Sequence, residues 1–442
     1  MRIKLLCSLL LCFGAVACQE DFLEKKPNKA LVVPQTLQDF QALLDNITLF
    51  NTTPSMGIIA SDEFQLVDNG LSKLSAAEQG VYLWKADPYQ GDVVSDWIYP
   101  YQQIFYANVV LDGLKKLEKN SAMEDSWNKI RGAALFFRAY ALFNLVQEFC
   151  VPYNKETVDT DMGIPLPLSS NVNNKLGRGK LGAVYSQIII DLNEAGELLP
   201  RKGETKNRPS KQAVFALFAR LYLVMEDYER ALLNSSMALD MGNDLIDYNL
   251  LDSTVFNPFP DILPNGNVEV IFYAPRLSTS FFVPGAIKVD PSLLNLYKTG
   301  DIRKAIYFYD MGDGVVYNTN YEGLTVDELL LINAECKIRL KKIDEGLQEL
   351  NKLLLKRYKE DFFEPLKAEN EVDAVKLLIE ERRKELVGRN LRWQDLRRFN
   401  RYKDFAKDVV RVYNGETYRL PANDSRYILP IPDAEILNNP NL

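Results

Sequence analysis

The side chains in this chain that could carry chemistry are carboxylates, aromatic rings and one N-terminal cysteine. Asp and Glu number 60, enough to supply an acid–base pair, but their spacing sets no two apart. Histidine is absent from all 442 residues, which removes Ser-His-Asp triads, Cys-His pairs and His-ligated zinc together. No Cys-x-x-Cys occurs, so a thiolate zinc site or a thioredoxin-like motif is not expected. Glycine-rich phosphate loops and a Gly-x-Ser-x-Gly elbow are also missing. These absences point away from catalysis and toward binding without a cofactor. The binding candidates lie in irregular stretches. Trp84 is flanked by Tyr82 and Tyr89, near Pro88 and Gly91; such rings stack on flat polar ligands. Phe281-Phe282 is an apolar pair in a loop, and in extended chain one of two neighbours faces outward. Tyr317 follows the Gly312-Asp313-Gly314 turn, and Asp62, Asn69 and Asp92 could hydrogen-bond hydroxyls or amides. Packing in the core is the competing reading of each.

The elements that must position these residues are mostly helical. Apolar positions recur at three- and four-residue steps over about 97–118, 124–149, 181–199, 210–225, 228–241, 325–341, 343–358 and 371–388. Phe215, Ala219, Tyr222, Ala231 and Ala238 sit at the spacing of a tetratricopeptide helix pair, with a turn at Glu226-Asp227. Residues 325–358 fit that spacing more loosely around Ala334 and Gly346, and stacked pairs would form a short α-solenoid. Between about 243 and 322, Gly, Pro, Asn and aromatics become frequent, with a strand-like run at Val268–Phe272. That stretch and residues 51–92 read as loop-rich insertions on a helical frame, where function commonly resides.

Charge and compartment narrow the class further. A net charge of −8, without a basic stripe, argues against nucleic acid as partner. Arg2 and Lys4, then the apolar run Leu5–Phe13, then Ala15-Val16-Ala17-Cys18, have the order of a bacterial lipoprotein signal. Residues 1–17 are expected to be removed and Cys18 to carry acyl chains, each buried methylene contributing about 0.8 kcal/mol to anchoring. Residues 18–35 then form a lipidated tether, and 36–442 a single domain. Of the remaining cysteines, Cys150 and Cys336 lie on apolar helical patterns and are expected as buried free thiols. Arg382, Arg383, Glu385, Arg392 and Asp395 resemble an anion site, but Glu381, Glu385 and Arg389 at helical spacing favour a structural network of local pairs. Trp97, Trp127 and Trp393 are expected to pack.

Motifs in order along the chain resemble the SusD/RagB family of nutrient-uptake lipoproteins. They begin with Asp21-Phe22-Leu23 and Lys26-Pro27, then Trp97, Tyr101, Ile104 and Asn108. The helix from Arg131-Gly132-Ala133 to Arg138-Ala139-Tyr140 follows, then Gly163-Ile164-Pro165-Leu166, Val184-Tyr185 and Asp191-Leu192. Asp301, Arg303, Ala334-Glu335, Glu381–Leu386, Arg392-Trp393, Asp395-Leu396-Arg397 and Leu429-Pro430-Ile431-Pro432 complete the similarity. The resemblance implies an all-α superhelix of tetratricopeptide-like pairs supporting a loop-built binding face, with minor β. It also implies a lipid-anchored outer-membrane protein at the cell surface, which captures an oligosaccharide and passes it to a SusC-like TonB-dependent transporter. A RagB-like peptide ligand, or a tetratricopeptide scaffold that binds only protein, are the alternatives it leaves open.

Overall fold

Helical periodicity in the sequence becomes helix in the computed structural model, which describes residues 34–310, 315–317 and 322–442. Cys18, the expected signal and most of the tether lie outside the described residues. From Thr36 to Leu442 the chain forms one unit. Its longer helices are α1 (Leu37–Leu44), α2 (Ser95–Leu114), α3 (Glu124–Phe149), α4 (Leu181–Leu198) and α5 (Lys211–Val224). They continue with α6 (Tyr228–Leu239), α7 (Val326–Arg339), α8 (Ile343–Leu354), α9 (Glu371–Glu385) and α10 (Arg392–Phe399). Among the described residues, no helix is long and apolar enough to cross a membrane.

Local chemistry sets the helix ends. Thr36 and Asp39 form a capping box on α1, Ser210 accepts from the amide of Ala213 at the start of α5, and Asp227 from that of Arg230 at the start of α6. α5 and α6 form the expected tetratricopeptide-like hairpin, turned by Glu226 at φ 58°. Ala219, Ala231 and Ala238 are fully buried between the helices, and Phe218 stacks on Tyr222 at 5.6 Å. α7 and α8 repeat the arrangement. There Gly346 permits the close approach: a Cβ at that position would lie 2.6 Å from Ile338 Cγ1 and 2.7 Å from the Ala334 carbonyl oxygen. α6 packs on α7, α7 on α9, and α3 on α2 and α4, so the helices form a continuous layered stack. α3 is the centre of it. Its sequence shows an apolar stripe, yet every residue from Gly132 to Phe149 is buried, because neighbours cover it on all sides.

Strands are short. β1 (Phe64–Leu66) pairs with β3 (Ile287–Val289), β2 (Val270–Tyr273) with β6 (Gly323–Thr325), and β4 (Phe308–Asp310) with β5 (Val315–Tyr317), all antiparallel. β2 among them is buried against α3 through Phe272. β7 (Val409–Tyr413) and β8 (Glu416–Leu420) form a hairpin that the sequence expectations lack. Its signal is present: Asn414-Gly415, both at positive φ, is the favoured two-residue turn. The segment 51–92, expected as loop, is instead ordered by the helices Met56–Ala60 and Ala76–Tyr82 and by β1.

The charged run of α9 and α10 is a structural network in which long-range pairs join local ones such as Lys384–Glu381 and Arg398–Asp395. Arg303 is fully buried against Asp301 at 2.7 Å, Glu381 at 2.8 Å and Glu385 at 3.0 Å. Glu385 also binds Arg357 at 2.7 Å, while Arg389 pairs with Asp327 at 2.8 Å and donates to the Glu385 carbonyl at 3.1 Å. Arg382 takes Asp395 at 3.0 Å. These pairs tie the last long helices to α7 and to the irregular segment 243–310. Trp393 packs on Tyr427 at 4.7 Å, under the C-terminal segment as expected. Trp97 is buried against Phe149, and Trp127 is half-buried beneath Lys119 and Arg131. Cys150 and Cys336 are buried free thiols.

Candidate functional site

The structure brings most of the predicted ligand residues together, but as core. Trp84, at φ 50° just after the helix Ala76–Tyr82, is 4% exposed. Its Nε1 donates to the Ala60 carbonyl at 3.0 Å, and the Arg411 guanidinium covers its ring at 4.2 Å. Tyr82 is buried beside it, its hydroxyl accepting from the Leu66 amide at 2.9 Å, with the same Arg411 over its ring at 4.0 Å. Phe281 is fully buried, 6.1 Å from Tyr82 and edge-on to Phe64 at 6.2 Å. Tyr89 is buried too, and burial raises its pKa well above the ordinary tyrosine value. The expectation of an exposed stacking platform at Trp84, Tyr82, Tyr89 and Phe281 is therefore corrected. The irregular segments join the main apolar core, and Arg411 holds them there by donating to the carbonyls of Ile59, Ser61 and Tyr82.

Asp62 is likewise buried, with Arg392 at 2.6 Å and Lys407 at 2.8 Å. Burial alone would raise its pKa, but the charges of Arg392, Arg383 and Lys407 outweigh that and hold it well below the usual carboxylate range. It is a structural ion-pair partner, not a free acceptor. Asp92 is half-buried and accepts from the Ala77 amide at 3.0 Å, capping a helix start. Phe282 is half-buried under Arg276 at 4.3 Å. Tyr317 ends β5 opposite Phe308, and its side chain lies outside the described residues.

An open aromatic groove lies elsewhere, along the outer face of α2. The inner face of that helix buries Trp97, Ile104, Ala107, Leu111 and Leu114. Ile98, Tyr101, Gln102, Phe105 and Tyr106, three and four residues apart, fall on the other side. They line a groove of about 520 Å³ with Pro165, Val172, Leu176, Glu435 and Asn439, a volume typical of small-ligand sites. Its second wall is pinned to α2. The Tyr101 hydroxyl donates to the Pro165 carbonyl at 2.9 Å, Asn108 Nδ2 to that of Pro167 at 2.9 Å, and the Ser170 amide to Asp112 at 2.8 Å. The third wall is the C-terminal segment, held by Lys175 Nζ donating to the Asn438 carbonyl and Asn439 Nδ2 to that of Leu176, at 2.9 and 2.8 Å. Hydrogen bonds thus form the groove without a ligand. Phe105 and Tyr106 stand edge to face at 5.1 Å, half-buried, with Gln102 and Asn174 beside them.

Such a surface can stack on ring faces and bond hydroxyls. Glu435 is the one acidic side chain lining it among the described residues. Sequence reasoning placed Tyr101 on a framework helix and overlooked Phe105 and Tyr106. Their signal was aromatic residues continuing on the polar side of the α2 stripe.

The helical stack thus presents an open aromatic groove of a size suited to binding. Comparison with known proteins states the kind of protein. Residues 21–223 match a family model described as starch-binding and associating with the outer membrane, and residues 326–442 match the SusD family model. The chain belongs to the SusD/RagB family, whose members are non-catalytic. A SusD-like protein of Formosa agariphila is 23% identical over 531 residues, spanning 98% of this chain and 96% of that one. A SusD superfamily structure from Bacteroides thetaiotaomicron superposes with TM-score 0.73 at 21% identity, covering 92% of this chain and 98% of that one. A SusD-like carbohydrate binding protein from Bacteroides vulgatus gives TM-score 0.70 at 19% identity, with coverage of 92% and 98%.

Proposed function

We propose that this protein captures an oligosaccharide in the α2 groove and delivers it to a SusC-like TonB-dependent transporter at the outer membrane. The observation that carries the reading is the row Tyr101, Phe105 and Tyr106 in a groove that hydrogen bonds hold open. The family description as starch-binding and outer-membrane-associated, and the carbohydrate-binding relative, support the ligand class and the location. Acyl chains on Cys18 would hold the protein at the cell surface.

The double variant Phe105→Ala, Tyr106→Ala tests the groove. Each ring contributes on the order of 1 kcal/mol beyond its buried area, so affinity for the best binder in an oligosaccharide panel should fall about ten- to a hundredfold. Thermal stability should change little, because both rings are half-exposed. Unchanged affinity would remove the groove from the site, and selective binding of peptides in the same panel would favour the RagB-like alternative. For the anchor, Cys18→Ala should release the protein from the membrane fraction; a variant that still labels at the cell surface overturns that part.

A further inference from the structure

A second cavity, of about 350 Å³, opens between the segment after α3, the end of α10 and the turn at 423–428. Its wall includes Arg397, which is 4% exposed. Most buried arginines of this protein meet a carboxylate: Arg138, Arg220, Arg303, Arg357, Arg382, Arg392 and Arg398 all do. Arg411 has none, but three carbonyls and two aromatic faces surround it. Among the described residues Arg397 has only the Cys150 carbonyl, at Nη2, while its Nε is buried with no partner there. No carboxylate of the described residues lies within ion-pair distance of it. Burial lowers its pKa to about 10, so it remains a cation at neutral pH. Glu148 is the carboxylate whose charge reaches it, yet burial and neighbouring Asp96 push Glu148 toward its neutral form.

Two further buried polar groups line the same cavity. Asn400 Nδ2 and the Tyr427 hydroxyl lie next to each other without a hydrogen bond of good geometry, and neither atom has another partner. Asn400 is 2% exposed and Tyr427 3%. The rim, by contrast, is satisfied. Asp161 accepts from Thr157 at 2.7 Å, Asp424 pairs with Arg426 at 2.8 Å, and Arg401 pairs with Glu226 at 3.3 Å. An uncompensated buried cation is costly unless a counter-charge reaches it. Here the cavity beside it has an open mouth, and Asn400 and Tyr427 line that cavity with it.

We infer that this cavity is a binding site for a carboxylate, held by Arg397 with Asn400 and Tyr427 as supporting donors. The carboxylate could belong to an acidic sugar or to the C-terminus of a peptide; the shared chemistry is one planar anion on a small polar body. This site is separate from the α2 groove and does not depend on the reading of that groove.

The test is calorimetric titration of the purified protein with four probes: D-glucuronate, D-glucose, an N-acetylated tripeptide with a free C-terminal carboxylate, and its C-terminal amide. At least one acid should bind and its neutral counterpart should not. Arg397→Gln should weaken that binding roughly ten- to a hundredfold, the range for a charge-assisted hydrogen bond. Should Arg397→Gln fail to fold, Ser425→Trp replaces it: Ser425 is exposed at the rim, and the indole would fill the mouth without disturbing the core. Binding of glucuronate alone supports the site and makes the source an acidic sugar. Binding of the free-acid peptide alone also supports the site and assigns it to a peptide terminus, leaving the groove experiment to decide the glycan reading. The proposal is overturned if neither acid binds, if glucose or the amide binds as well as its acid, or if binding survives Arg397→Gln or Ser425→Trp in folded protein.

Discussion

Glu63 should make this protein lose stability as pH rises, and Glu63→Gln should abolish that loss. Its carboxyl is 1% exposed, next to ionised Asp62, and its nearest donor is the Gly388 amide at 3.3 Å. Burial first, and then the Asp62 charge, push its pKa from 4.5 to about 8. The folded state therefore keeps a proton that the unfolded chain releases. The stabilising contribution is fully present below the unfolded value and is lost between there and about pH 8. At 1.36 kcal/mol per pH unit of pKa difference, the full loss is on the order of 5 kcal/mol. Glutamine resembles the protonated acid in shape and cannot ionise. Urea unfolding of both proteins at about pH 5 and about pH 9 gives the double difference. Other titrating groups, Glu269 among them, cancel in it, as does any constant offset from the altered bond to Gly388. The variant should gain several kcal/mol relative to the parent at the higher pH. Equal differences at the two pH values would show that Glu63 ionises freely in the folded protein and would refute the reasoning.

Three other substitutions probe the frame. Trp84→Ala removes a buried indole, its bond to Ala60 and the ring facing Arg411; thermal unfolding should show a loss of about 3–5 kcal/mol, with affinity per folded molecule retained. An unchanged melting temperature with weakened oligosaccharide binding would restore Trp84 to the site. Arg303→Met leaves Asp301, Glu381 and Glu385 sharing fewer cations and should cost roughly 3–5 kcal/mol in denaturant unfolding; a neutral effect would mean that the network is relieved by solvent. Gly346→Val would press a side chain onto Ile338 and the Ala334 carbonyl and should cost about 1–3 kcal/mol by the same assay; full stability would show that α7 and α8 separate easily.

The helical frame was legible in the sequence because its signal is local. Apolar residues at three- and four-residue steps, caps such as Ser210 and Asp227, and the small residues Ala219, Ala231 and Gly346 each act within a turn or two of chain. The family motifs are local as well, which is why order along the chain sufficed to suggest the family. The distant partners of the charged run were not legible. Arg303 lies 78 and 82 residues from Glu381 and Glu385, and a charge does not carry the address of a partner that distant. Trp84 was misjudged for a similar reason. An aromatic in an irregular stretch has the same local pattern whether it faces water or the core, and the deciding group, Arg411, comes from far along the chain. The groove reverses the case. Tyr101, Phe105 and Tyr106 lie on a helix whose existence the sequence determined, but whether that face is covered depends on where the 165–176 strap and the C-terminal segment cross it. Composition and periodicity thus decided which elements form and which chemistry is excluded. Tertiary packing alone decided which aromatic rings were left at a surface, because burial belongs to the assembled neighbours and not to the residue.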